Sequence, residues 1–506
     1  MSRQTPVSLI LSAFAGFVLF LAIPPANLFF MGWIGLIPLF IALDRPSRAG
    51  FSEGFVAGFI FNLGTLYWLA LNSGTYWYVA SATMIAGVLY LSMGWGVAAW
   101  IFRRLYDRLG AIAWLSVPFS WAAWEGWMSN IPDISFAWSL IALTQVKFPP
   151  ILQIMEFTGV WGVSFWVVSL NLVIFWILKN RERPLKLYLL VLAILAIIPI
   201  GANLASRRWE GDYPMARVMV VQGNIDPLDK WLNGAEFSWA VYDSLSRQAA
   251  DNDVDLVLWP ETAFPGDIAS RAYYNRRAAK LAEDIGASII TGASGYAQLD
   301  SIPRAINTAY QVDPKSGVID NYSKRNLVPF GERVPFQKLI PKLGDLNFGQ
   351  AEFLPGLRQT IFSVKTDSVD IRVPALICFE SVFPNQARNC VQRGANLLAT
   401  ISNDGWYGKS SEREQIAEIS RFRCLETRRS MARASNTGIS FCADHLGRTI
   451  CQSGVDNAEA LTADLPLVSE NTFFVRYGNV FLMLTTFVYG TFLAIGGFKC
   501  WRYKRK

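Results

Sequence analysis

Eight stretches, each about as long as the ~20 apolar residues that cross a bilayer, constrain this chain more than any other feature. They are residues 7–24, 27–43, 54–72, 78–102, 109–128, 158–178, 186–204 and 477–498. A chain that places this much apolar sequence in so few segments cannot bury it all in one soluble core. The reading is a polytopic α-helical membrane domain of about eight spans. Whole-chain averages conceal the pattern: 17% of residues are charged, against roughly 25% in soluble domains, but the charges collect in one block. The expected domains are 1–205 with seven spans, 206–475 as a soluble domain, and 476–506 as the eighth span with a basic tail. Arg3 before an apolar run suggests a signal peptide, yet the run leads into AIPPAN and further spans follow, so an uncleaved first helix is expected.

Basic residues alternate from loop to loop. Arg3, then Arg45 and Arg48, then Arg103, Arg104 and Arg108, then Lys179, Arg181, Arg183 and Lys186 fall at every second turn, and Arg502, Lys504, Arg505 and Lys506 end the chain. Positive loops stay in the cytoplasm. Both termini are therefore expected inside and the soluble block outside. The net charge of +7 is then largely topological and calls for no nucleic acid. Aromatic residues at span ends (Tyr76, Trp77, Tyr78, Trp121, Trp124, Trp127) read as interfacial anchors. Glu125 and Glu156 sit in or near spans, where a carboxylate is costly. They either lie at the outer interface or line a substrate path.

Six cysteines and a single histidine, His445, limit the chemistry. No CxxC or histidine cluster is present, which argues against a Cys/His zinc site and against a cysteine activated by histidine elsewhere than His445. No metal or cofactor is expected. Cys442 and Cys451 flank a DHLGR turn, and a disulfide between them stays open.

The soluble block alternates short β-branched runs with helix-period segments, the pattern of a layered α/β domain. The strands expected are ARVMVVQGN, VDLVLWPE, ASIITGAS, INTAYQVD, VDIRVPALICFE, NLLATIS, TGISFCAD and RTICQS; helices are expected over 234–251, 271–285, 385–393 and 411–433. Three apolar runs end unusually. VDLVLWPE delivers Glu261, DNYSKRNLVPFGERVP delivers Lys324 and Glu332, and VPALICFE delivers Cys378. Strand ends along one sheet edge are where such folds hold ligands. A thiol near its reference pKa of ~8.5 is mostly protonated at neutrality and needs a base. With histidine scarce, a buried carboxylate with a raised pKa serves. A lysine beside it favours thiolate and balances an oxyanion. Singly, each residue has a plainer reading: a cysteine filling core, a glutamate opening a helix, a surface Lys–Glu pair.

Together, WPE at 259–261, YSKRNLVPFGE at 322–332 and ICFE at 377–380 resemble the signature blocks of the nitrilase superfamily. With the flanking spans, and with QGNIDPLDKW at 222–231, SNDGWYG at 402–408 and RSMARASNTG at 429–438, the chain resembles the bacterial apolipoprotein N-acyltransferases. The resemblance implies an αββα sandwich in the periplasm, anchored in the inner membrane. It implies Glu261 as base, Lys324 as oxyanion stabiliser and Cys378 as nucleophile, supported by Glu332 and Glu380. Phe379 departs from the tyrosine common there, though the backbone N–H after the nucleophile can still face an oxyanion. Trp231 and Trp406, with the stretch 335–356, are candidates for substrate handling or a lid. The implied reaction moves an acyl chain from a phospholipid, by family likeness phosphatidylethanolamine, through a cysteine thioester to the α-amino group of a diacylglyceryl-cysteine on an apolipoprotein. The competing readings are a membrane-tethered amidase or nitrilase and, further off, a transporter or scaffold with a non-catalytic outer domain.

Overall fold

The computed structural model describes residues 4–45, 50–180, 186–250, 253–299, 302–337, 339–340, 342 and 353–504. Arg3, Arg48, Arg181, Arg183, Arg505, Lys506 and most of the second half of 335–356 lie outside the described residues. The chain divides into two units. One comprises residues up to 70, 80–208 and 479 onward; the other comprises 71–79 and 209–478.

The first unit is helical. Its elements are α1 (Gln4–Leu21), α2 (Ile37–Asp44), α3 (Phe51–Leu66), α4 (Trp77–Leu109), α5 (Val117–Met128), the single turns α6 (Pro149–Leu152) and α7 (Met155–Thr158), α8 (Val160–Lys179) and α9 (Lys186–Ser206). Among the described residues, five helical runs are long and apolar enough to cross a membrane: 51–71, 77–128, 160–179, 186–209 and 480–498. Two of the eight expected spans come out shorter. Helix in 27–43 is split into a 3-10 turn at Phe29–Trp33 and α2, and the apolar helix near the N-terminus covers 6–21. The run 77–128 holds two expected spans. Gly110, at φ +62, takes the left-handed conformation that ends α4 just after Arg103, Arg104 and Arg108.

Two carboxylates and an asparagine buried inside this unit find partners within it. Glu125 Oε1 accepts from the Trp121 indole N–H (3.0 Å) and the Ile141 backbone N–H (2.7 Å). Glu156 is fully buried and pairs with Arg208 at 2.9 Å. Both carboxylates thus brace the helical unit itself. Asn171 ties α8 to the 28–36 segment, accepting from Leu36 N–H and donating to Gly32 O.

The second unit is a four-layer sandwich. Strands β1 (Met215–Gln222), β2 (Leu256–Leu258), β3 (Ser288–Leu299), β4 (Ile302–Asp313), β5 (Gly317–Ser323) and β13 (Glu459–Pro466) form one sheet in the order β13-β1-β2-β3-β4-β5. A second sheet runs β12-β11-β10-β9-β8, from β8 (Ala375–Ile377), β9 (Leu397–Ser402), β10 (Ser430–Ser435), β11 (Phe441–Ala443) and β12 (Thr449–Gln452). Strands β6 (Phe362–Lys365) and β7 (Asp370–Val373) make a separate hairpin. The first sheet is parallel at its centre, β1-β2-β3, with antiparallel flanks; the second is parallel at one end, β8-β9-β10, and antiparallel through β11 and β12.

Side-chain alternation builds the layers. Val218, Val220, Leu256 and Leu258 of one sheet meet Ile377, Ala399, Ile401, Ala432 and Ala434 of the other in one buried cluster. The intervening residues Met219, Val221, Val257 and Trp259 turn outward onto α10 (Pro227–Ala249) and α11 (Ala272–Ile285). Leu376, Leu398 and Met431 do the same toward α12 (Pro384–Gln392) and α13 (Glu412–Thr427). A short α14 (Phe473–Tyr477) precedes α15 (Val480–Lys504), which belongs to the helical unit.

Several expected elements differ. The helix expected over 411–433 stops at Thr427; Arg428 turns at φ +51 and Ser430–Ser435 is the buried strand β10. VDIRVPALICFE is two strands in different sheets, because Pro374 lacks the N–H that a continuous ladder would use. Strands β5, β6 and β13 were not anticipated. Cys442 and Cys451 stand opposite each other across β11 and β12 as free thiols.

Candidate active site

The parallel strands β2 and β8 and the antiparallel edge strand β5 deliver the site residues at their C-terminal ends. Glu261 follows β2 after Trp259 and Pro260. Its backbone is held by Trp259 N–H to Ile290 O (2.9 Å) and Gly292 N–H to Pro260 O (3.1 Å). Gly292 is obligatory here. A Cβ on it would fall 2.6 Å from the Glu261 Cα and 2.5 Å from the Pro260 carbonyl oxygen. Behind the turn, Trp259 packs on Trp239 and Tyr242, so the carboxylate emerges from an apolar wall.

Lys324 follows β5 and is 1% exposed. Its N–H donates to Asn307 O at 2.8 Å, which fixes the residue to β4. Its Nζ lies 2.7 Å from Glu332 Oε1 and 3.4 Å from Glu261 Oε1. Asn307 completes the clamp, its amide donating to Glu261 Oε1 at 2.6 Å. Glu332 is itself anchored by the Val328 N–H at 2.9 Å.

Cys378 follows β8 at φ +49. A non-glycine residue held in this region costs of order 1–3 kcal/mol and persists only where its surroundings enforce it. The enforcement is visible. Glu380 Oε2 accepts from Ile377 N–H (3.0 Å), while its Oε1 accepts from the Tyr322 hydroxyl (2.8 Å), Arg325 N–H (2.8 Å) and Asn326 N–H (3.1 Å). One fully buried carboxylate therefore staples the cysteine turn to the segment carrying Lys324. From the other side, Ser381 donates to Cys378 O (2.7 Å), and Ser420 of α13 donates to Ser381 Oγ (2.9 Å). Phe379 is buried edge-on against Phe383.

Electrostatics tie the groups together. Burial raises the Glu261 pKa, with Lys324 opposing and Glu332 reinforcing the rise. Burial alone would strip Lys324 of its proton, but Glu332, Glu261 and Cys378 outweigh it and hold the ammonium above the ordinary lysine range. Burial and then Glu261 push the Cys378 thiol well above its usual value, against the pull of Lys324. The resting cluster is thus a protonated thiol beside a carboxylate of raised basicity and a fixed cation. Such a set can pass a proton from sulfur to carboxylate while a carbonyl is attacked.

The structure therefore brings Glu261 and Glu332 onto Lys324, with Glu261 and Lys324 acting on Cys378 and Glu380 stapling the cysteine turn. Trp231 and Trp406 are different. Trp231 is half exposed on α10, and the Trp406 carbonyl accepts from Ser73 N–H and its hydroxyl. Sequence reasoning missed Asn307, Tyr407 and Glu412. Asn307 had a detectable signal: in INTAYQVD it shares the sandwich-facing register of Ala309, where a polar residue is out of place. Tyr407 and Glu412 both carry charge interactions with the Cys378 environment, and nothing in their spacing announced that. Among the described residues, no group of three His, Cys, Asp or Glu is placed to hold a metal.

Comparison with known proteins supplies what geometry does not. Residues 15–173 match the apolipoprotein N-acyltransferase N-terminal domain, and residues 217–472 match the carbon-nitrogen hydrolase domain. An apolipoprotein N-acyltransferase of Geobacter metallireducens is 32% identical over 485 residues, covering 93% of this chain and 92% of that protein. The chain belongs to the apolipoprotein N-acyltransferase family. A second apolipoprotein N-acyltransferase, from Chlorobaculum tepidum, is 31% identical and covers 90% of each chain. Among solved structures, an amidase of the nitrilase superfamily from Nesterenkonia is 18% identical, with a TM-score of 0.39 over 53% of this chain and 95% of its own. One polypeptide thus carries both an apolipoprotein N-acyltransferase N-terminal domain and a carbon-nitrogen hydrolase domain.

Proposed function

We propose that this chain transfers a fatty acyl group from a membrane phospholipid, by family likeness phosphatidylethanolamine, to the α-amino group of a diacylglyceryl-cysteine at an apolipoprotein N-terminus. The transfer passes through a thioester on Cys378. The observation that carries the reading is the buried Glu261–Lys324 contact of 3.4 Å in charge contact with Cys378, in a chain of this family.

In the first half, Glu261 accepts the thiol proton as Cys378 attacks the ester carbonyl. Lys324 offsets the charge on the tetrahedral oxygen. The C–O bond breaks, Glu261 returns the proton to the departing lysophospholipid, and the acyl group stays on sulfur. In the second half, the neutral α-amine attacks the thioester and gives its proton to Glu261. The C–S bond breaks, and Glu261 reprotonates Cys378. Two sequential half-reactions let one pocket meet two bulky lipids in turn. Lateral diffusion in the bilayer brings both, which is the use of the helical unit. The active unit faces the outer side of the inner membrane in this reading, with the termini cytoplasmic, in keeping with the alternation of basic loops.

The test is transfer of labelled acyl chains from phospholipid vesicles to a diacylglyceryl-cysteine peptide by the purified full-length protein. Wild type should modify the peptide amine and Cys378→Ala should not. Release of free fatty acid with no modified peptide would replace acyl transfer by hydrolysis.

A further inference from the structure

Cys378, Cys390, Cys424, Cys442 and Cys451 are free thiols, and two of them face each other across a strand pair. Cys442 on β11 stands directly opposite Cys451 on β12 in an antiparallel ladder. By contrast, Cys378 follows β8, while Cys390 and Cys424 lie on α12 and α13. Directly opposed residues of an antiparallel pair keep their Cα atoms ~4.5–5.5 Å apart and turn their side chains to one face. That spacing falls inside the ~4.4–6.8 Å range of a disulfide. Packing agrees on the shared face: Cys442 is fully buried between the two sheets, and Cys451 packs, partly buried, on the same cluster.

The register of this hairpin is fixed at both ends. At its turn, the Asp444 carboxylate accepts from the Leu446 and Arg448 backbone N–H groups and from the Arg448 guanidinium. At its open end, Gln222 Oε1 of β1 accepts from the Ser440 hydroxyl (2.8 Å) and the Ser453 hydroxyl (2.9 Å). Between these clamps the ladder shifts register next to Cys442, and β12 is the outermost strand of its sheet, mostly exposed. We propose that Cys442 and Cys451 are a thiol–disulfide site, oxidised to a cross-strand disulfide that staples the β12 edge of the second sheet. This rests on the reading that sets the α/β unit outside the cytoplasm, where disulfides persist. The oxidant is a disulfide of that compartment, carried by a protein or a small molecule. Cys451, the more exposed thiol, loses its proton and attacks one sulfur of the oxidant, expelling the other. Cys442 then loses its proton and attacks the Cys451 sulfur, and the second oxidant sulfur departs. Both electrons and both protons leave on the oxidant, now reduced to two thiols. The Cys442 thiol donates toward Cys451 and brings its pKa down to about 7, which makes the attacking thiolate available near neutrality.

The experiment treats membranes carrying the full-length protein with N-ethylmaleimide under denaturing conditions, then digests the purified protein with trypsin without reductant. Trypsin cuts after Arg433, Arg448 and Arg476, so the two cysteines fall on separate peptides, 434–448 and 449–476. The expected product is these two peptides joined, two hydrogens lighter than their sum and parted by reduction. Reduction should also lower the melting temperature of wild type and leave that of Cys451→Ala unmoved. Recovery of the two peptides singly, each alkylated, overturns the proposal, as does a wild-type melt that reduction does not shift. Glutathione disulfide added to the purified, reduced protein then tells which premise failed. Linkage there keeps the pairing geometry and removes the outward placement; no linkage removes the geometry itself.

Discussion

A thiol whose neighbours are carboxylates resists ionisation, and Cys378 is such a thiol. In the proposed mechanism it becomes a nucleophile as Glu261 takes its proton, so acylation should need Glu261 unprotonated. Because burial raises that carboxyl, acylation should rise with pH through a midpoint above the ordinary carboxylate range. Stopped acylation at several pH values checks this; a rate already maximal at the pH of a free carboxylate would contradict it. Lys324→Met removes the cation between buried Glu261 and partly buried Glu332. Stranding buried charge typically costs about 3–5 kcal/mol, so both the melting temperature and acylation should fall. Lys324→Arg should not restore the rate, since a planar guanidinium does not replace a compact ammonium at 2.7 and 3.4 Å from two carboxylates. Glu380→Gln leaves a donor facing donors. The loss of about 1–3 kcal/mol should appear in thermal unfolding, together with slower acylation as the Cys378 turn relaxes.

At the scale of elements, the site depends on how closely neighbouring strands approach. Gly292→Ala would force a methyl into the Glu261 backbone; acylation should drop by at least tenfold while circular dichroism stays that of a folded α/β domain. Normal acylation in that variant would show that Glu261 tolerates displacement. The strand ends carrying Glu261 and Cys378 were legible in the sequence because apolar runs stopped abruptly at chemical residues; Lys324 stood out through its own block, although its strand did not. β10 was not. Its residues include Arg433, buried and bound to Asp404 at 2.8 Å, and Ser430 and Ser435; an arginine inside a sheet reads, by composition, like the exposed side of a helix. β5 and β13 were hidden for another reason. They lie at sheet edges, where alternate residues face water and the apolar signal is halved.

For the whole molecule, the apolar runs made the helical unit legible, but not the division of 27–43 or the long run from 77 to 128. Periodicity cannot reveal a break made by a 3-10 turn within uniformly apolar sequence. The joining of a lipid-embedded unit to a carbon-nitrogen hydrolase domain fits a reaction whose two substrates never leave the bilayer. The central claim is that Cys378 carries the acyl group between them. Intact mass of the purified protein after exposure to one defined phospholipid, with no acceptor present, tests it most directly. The account predicts a single added acyl mass, localised to Cys378, removed by hydroxylamine and missing in Cys378→Ala. An unmodified wild-type protein that nevertheless acylates the acceptor peptide, or an equal adduct on Cys378→Ala, would contradict it.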